Sequence, residues 1–153
     1  MHQVLSFKAI FVGFLVKVLS GTIFGNGVTI ATMIAAPTFS GNAVSPVQAL
    51  TIAFTSPLFI IATTAAAVLS ALLSGYVTSA LAPGAEMRHL AVVVAIFVAW
   101  TLGDTYIRFL IPPLPAGMMT FPTTSPRAIL WISLAANMLS IPAFFGAAAL
   151  RAR

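Results

Sequence analysis

From Ala9 to Ala36 the chain carries one charged side chain, Lys17, and three further stretches are nearly as apolar. No other feature narrows the fold so far. A run of about 20 apolar residues is the length a helix needs to cross the ~30 Å hydrocarbon core of a bilayer. With 7 basic and 2 acidic side chains, charged residues make up 6% of the 153. A soluble domain carries roughly a quarter, so the solvent for most of this surface must be lipid. The mean hydropathy of +1.09 agrees. The expected fold class is all-α, a single-domain integral membrane bundle of four transmembrane helices.

Local signals divide the chain. The first helix is read at about 5–36, stopping at Pro37, and the second at 57–82, ending at Ala82-Pro83-Gly84. The third is read at 88–111, cut by Pro112-Pro113, and the fourth at 126–150, before Arg151 and Arg153. Ser followed by Pro offers an N-cap acceptor and then a residue of preset φ. That pair occurs at Ser45-Pro46, Ser56-Pro57 and Ser125-Pro126. Pro46 to Ala82 is too long for one perpendicular span at ~1.5 Å per residue. Either the span starts at Pro57, with 46–54 forming a short interfacial helix, or one long tilted helix kinks there. The start at Pro57 is preferred, because Ser-Pro makes a good first turn and a poor helix interior. The first run is read as a retained helix and not a cleaved signal peptide, since Lys17 interrupts its apolar core and no Ala-x-Ala site follows. The two halves share a helix-loop-helix plan without a residue-level repeat.

Lys and Arg positions set the expected orientation. With the N-terminus inside, Lys8, Arg88, Arg151 and Arg153 fall on the cytoplasmic side and Lys17 leans the same way, against Arg108 and Arg127 outside. Both termini are therefore expected inside. The basic residues are scattered singly near segment ends, with no stripe of interleaved aromatics, so nucleic acid is not an expected partner. The lipid bilayer is. The chain has no cysteine, which removes disulfides, thiolate metal sites and Cys nucleophiles. His2 and His89 stand alone at segment ends, and no hydrolase, zincin or phosphate-loop motif occurs. Two acids leave little for acid–base work. No enzyme activity, cofactor or metal site is expected.

Five polar residues within or beside the spans are candidates for an intramembrane site. Lys17 lies about 13 Å past Lys8 along a helix, and a cation at that depth is a functional candidate. The plainer reading, preferred here, is that its ammonium snorkels back to the headgroups. Asp104 and Arg108, at i and i+4, can neutralise each other on one helix face, or Asp104 can serve as an acidic site opening outward. Asn26 and Asn137 fall at depths compatible with Asp104, and interhelical hydrogen bonds worth about 0.6 kcal/mol are the commoner use of such residues. Gly13, Gly21 and Gly25 share an i+4 row with Lys17, a row expected to face protein and carry Lys17 inward. Gly21-x-x-x-Gly25 is read as a close-approach face. Ala67, Ala71, Gly75 and Ser79 on the second helix, and Ala91, Ala95, Ala99 and Gly103 on the third, are read the same way. Trp100, Trp131, Tyr76 and Tyr106 are read as interfacial anchors or packing.

Two segments carry a resemblance. Ser74-Gly75-Tyr76, followed by Ala82-Pro83-Gly84 and His89, resembles small four-helix bacterial inner-membrane proteins in which a Gly-Gly-Tyr run ends the second helix and an Ala-Pro loop precedes a His. Ser74 stands where that pattern often has a first glycine. The opening Phe7-Lys8-Ala9-Ile10-Phe11-Val12-Gly13-Phe14 is similar to the starts of such proteins. The resemblance covers about 25 residues. It implies a bacterial inner-membrane location and a four-helix plan, and brings no activity with it.

The leading functional reading is a small multi-pass membrane protein without catalysis, a packing or assembly component of a homo-oligomer or a larger membrane complex. The alternative is a small transporter or channel subunit using intramembrane Lys17 and Asp104.

Overall fold

The structure is a computed structural model that describes residues 5–40, 45, 56–110 and 126–151, with the backbone alone at 37, 39, 40 and 126–129. The described residues form α1 (Phe7–Ser40), α2 (Pro57–Leu81), α3 (Glu86–Leu110), α4 (Pro126–Leu139) and α5 (Ile141–Arg151), with no strand among them. α4 and α5 follow one another across Ser140 as one span. Four helices are thus long and apolar enough to cross a membrane, as composition requires.

Local chemistry explains most of the boundaries. Ser56 is extended, and its hydroxyl accepts the Leu58 N–H at 3.2 Å with Pro57 in the first turn. The second span therefore starts at Pro57. The proposed interfacial helix at 46–54 lies outside the described residues. Between α2 and α3 the Ala85 N–H returns to the Ala82 carbonyl across Pro83-Gly84, with Gly84 at φ 82°. This is the turn that Pro followed by Gly favours, because the residue after Pro needs positive φ. Glu86 reaches back to accept the Gly84 N–H at 2.9 Å, so α3 begins at Glu86, ahead of the expected 88.

Two expectations are corrected. α1 does not stop at Pro37 but continues to Ser40. A proline removes one donor, and in lipid the remaining backbone groups still find their partners most readily by staying helical. The fourth span is not one continuous helix from 126 to 150. It breaks at Ser140, because Pro142 has no N–H and its ring crowds the carbonyl one turn back. Ser140 closes the last turn of α4: its N–H lies 3.2 Å from both the Ala136 and Asn137 carbonyls, and its hydroxyl donates to Asn137 O at 2.7 Å.

α2 is the central element. It packs along α1 on one side and along α4–α5 on the other, with α3 closing over all of them. The bundle has a tight half and a loose half. The tight half holds the start of α1, the end of α5 and the α2–α3 turn, around Ala71, Leu90, Val93, Phe97 and Phe144. There the Ser74 hydroxyl donates to Gly13 O at 2.6 Å, tying α2 to α1. Gly75 lies against α5: a methyl group on it would stand 3.0 Å from Ala147 Cβ and collide with the Phe144 carbonyl. Gly13 meets Thr78 as closely. Gly21 is looser, 3.7 Å from the Ser70 hydroxyl on the same measure, and Gly25 and Gly103 have no described neighbour within 4 Å. The close-approach reading therefore holds for Gly13 and Gly75, and not for Gly25 or Gly103 within one chain. On α1 the Lys17 side chain crosses to Ala67 and Ser70 of α2 just before Gly21.

Gly75→Ala is expected to lower stability by about 1–3 kcal/mol through overpacking. Gly25→Ala, which meets no described atom within 4 Å and gains about 1 kcal/mol of helix propensity, is expected to be neutral or stabilising. Thermal unfolding in mild detergent checks the pair. Equal small shifts would contradict the contact at Gly75.

Candidate functional site

Lys17 is 3% exposed although it sits some 15 Å along α1 from Phe7, near mid-span. It does not snorkel. Its ammonium crosses to α2 and donates to Ala67 O at 3.0 Å and to the Ser70 hydroxyl at 2.7 Å. It also lies 4.7 Å from the centre of the Phe97 ring and 5.9 Å from that of Phe144. Snorkelling fails because these neutral acceptors and aromatic faces are within one side-chain length, whereas the start of α1 is nearly three turns away. A helix carbonyl accepts a second hydrogen bond without breaking its ladder, and ring faces attract a desolvated cation. The Ser70 hydroxyl donates onward to Ala67 O at 2.8 Å, so each of its roles is filled.

Above Lys17 the helices leave a cleft of about 390 Å³ shared by all four spans. Lys17, Phe97 and Ser70 form its floor, and Thr63 of α2 lies higher on the wall. Its walls include Trp100 and Thr101 of α3 and Leu130, Ser133 and Asn137 of α4. Asp104 and Arg108 stand at the far end, about 10 Å above Phe97 along α3. Thr63 Oγ1 is buried and has no hydrogen-bond partner among the described residues. The cleft is wet in composition and dry in position: hydroxyls, an amide and ions surround a space at membrane depth.

The structure brings together four of the five candidates. Lys17, Asp104, Arg108 and Asn137 line one cleft, whereas Asn26 is exposed on another face of α1 and does not reach it. The Asp104–Arg108 pair forms at 2.8 Å, with the Arg108 side chain 61% exposed and that of Asp104 47%. An exposed i,i+4 pair of this kind is worth about 0.5 kcal/mol or less, so it neutralises the mouth of the cleft without anchoring the fold. Ser70, Thr63, Phe97 and Ser133 were missed by the sequence reading. Ser70-x-x-x-Ser74-x-x-x-Thr78 was the available signal for α2, an i+4 row of hydroxyls in an otherwise apolar helix. Trp100, read as an anchor, is 60% exposed, lines the cleft and stands edge-on to Phe14 at 6.1 Å.

The tight half has polar ties of its own. His89 is 2% exposed, its Nδ1 lies 2.8 Å from Ala85 O, and its Nε2 accepts the Ser6 N–H at 2.7 Å. One tautomer serves both contacts, with the proton on Nδ1, and the ring fastens the start of α1 to the start of α3. Arg151 donates to the Ser79 carbonyl, fastening α5 to the end of α2. Among the described residues no group of three or more His, Asp or Glu gathers at a metal-binding distance. The chain matches no model of a known protein family, no curated protein and no solved structure.

A buried charge without a carboxylate partner lowers stability, and an apolar replacement of similar length is neutral or better. Lys17→Met is therefore expected to unfold no more than about 1 kcal/mol more easily than the unmodified chain. Ser70→Ala, which strips the retained ammonium of an acceptor, is expected to cost about 1–3 kcal/mol. Thermal unfolding of both variants would show it, and a large loss in Lys17→Met with none in Ser70→Ala would reverse this assignment.

Proposed function

We propose that the protein is a small multi-pass membrane protein that takes up a polar solute in the cleft above Lys17, as a transporter or as a subunit of a channel. One observation carries this reading. The ammonium of Lys17 is turned inward to the floor of a cleft that every span lines. A residue that served only to hold the helices together would need neither a charge nor an adjoining cavity. Intramembrane ions that face a cavity mark solute and ion paths more often than they mark structure. The packed half below Phe97 closes the cleft toward the chain termini, so solute enters from the Asp104–Arg108 end. The location proposed is the bacterial inner membrane with both termini cytoplasmic, which makes that opening external.

Assembly with further copies has its own support. Ala91, Ala95 and Ala99 are exposed, and Gly103 beside them has no described neighbour within 4 Å. A smooth face of this type lets another helix approach closely. Ala95→Leu lowering the native mass in mild detergent would favour a homo-oligomer, and an unchanged monomer mass would remove that reading.

The absence of native cysteine makes the cleft directly testable. Ser133→Cys and Thr101→Cys, introduced singly, are expected to react in membranes with a water-soluble maleimide added to the external side. Trp131→Cys, on the outer face of α4, is expected to stay unlabelled. If all three resist, the cleft is not aqueous and the solute reading falls. Reporter fusions after Arg153 and at Thr123 test orientation. Periplasmic activity at Arg153 would reject the proposed topology.

A further inference from the structure

The charge balance of the cleft points to the class of solute. The chain contains only two acids. Asp104 is paired with Arg108 at the mouth, and Glu86 accepts the Gly84 N–H at the opposite end of the bundle. Lys17 therefore has no carboxylate partner from within the chain. Its two hydrogen bonds go to neutral acceptors, and an ammonium has a third donor. Lys17 and Arg108 against Asp104 leave the lined space with one excess positive charge, and that charge lies at the floor. In a low-dielectric setting the field of such a charge is little screened.

The remainder of the wall limits what carries the anion. Phe97, Trp100 and Leu130 give flat or apolar surface, and about 390 Å³ is at the small end of the range of about 300–1,000 Å³ seen for ligand sites. Resting on the solute-cleft reading above, we propose that the ligand is a small organic anion, a carboxylate on a flat apolar body. The carboxylate sits at Lys17, and the body lies along Phe97 and Trp100. A cation meets repulsion at the floor, and a neutral solute gains the walls without the charge.

The test uses the full chain in lipid nanodiscs at neutral pH, with Trp131→Phe leaving Trp100 as the sole tryptophan reporter. Benzoate, benzamide and benzamidine share one ring and differ in charge. Saturable change in Trp100 emission is expected with benzoate at least tenfold tighter than with benzamide, and none with benzamidine. In Lys17→Met the benzoate preference is expected to vanish while benzamide binding persists. Equal binding of benzoate and benzamide, or tightest binding of benzamidine, would overturn the anion assignment and leave a solute cleft standing. No saturable binding of any of the three would also overturn it, and thiol labelling at Ser133 then shows separately whether the cleft admits solute at all.

Discussion

The contact on which the arrangement turns is the one between the Lys17 ammonium and the α2 backbone. An ammonium carried to mid-membrane must find acceptors or return to water. Here it finds a carbonyl and a hydroxyl on the neighbouring helix and two aromatic faces from α3 and α5. Those requirements place α1, α2, α3 and α5 around one point. The cleft opens immediately above that point.

Below this level small side chains do the opposite. Gly13 and Gly75 let backbones and hydroxyls approach, and Ser74 bridges α2 to α1 through the Gly13 carbonyl. His89 and Arg151 close the same end by donating to or accepting from backbone groups that helix ends leave free. The break at Ser140 falls between the two regimes. α5 below it seats Phe144 and Ala147 in the tight half, while α4 above it contributes Leu130, Ser133 and Asn137 to the cleft. One span thus serves two different jobs, one on each side of Ser140. The cleft lies above the packed half, with the Asp104–Arg108 pair at its far end.

Much of the fold was legible in the sequence because lipid imposes a simple rule. Length and absence of charge define a span, and Ser56-Pro57 and Pro83-Gly84 define where two of them begin and turn. Pro142 was equally visible and was passed over, since apolar continuity hid a residue that cannot continue a helix ladder. The site was only partly legible. The i+4 row through Gly13, Lys17 and Gly21 pointed inward correctly, and the Asp104–Arg108 pairing follows from spacing alone. Lys17's partners did not follow, because which face of α2 meets α1 depends on packing across 50 residues of chain. Depth along a helix placed Asn26 near Asp104 and Asn137, but depth says nothing about azimuth, and Asn26 turns elsewhere.

Lys8 and Lys17 are the chain's two lysines, so a lysine-specific ¹⁵N label reports on little else. Solid-state NMR of that sample in lipid bilayers tests the central claim most directly. The account predicts that Lys17 Nζ shows through-space correlations to Ser70 Cβ and to the Phe97 ring, while Lys8 Nζ correlates with water and headgroups. Two lysine signals that both correlate only with water and headgroups would contradict it, because the charge assigned to the floor of the cleft would then lie at the membrane surface.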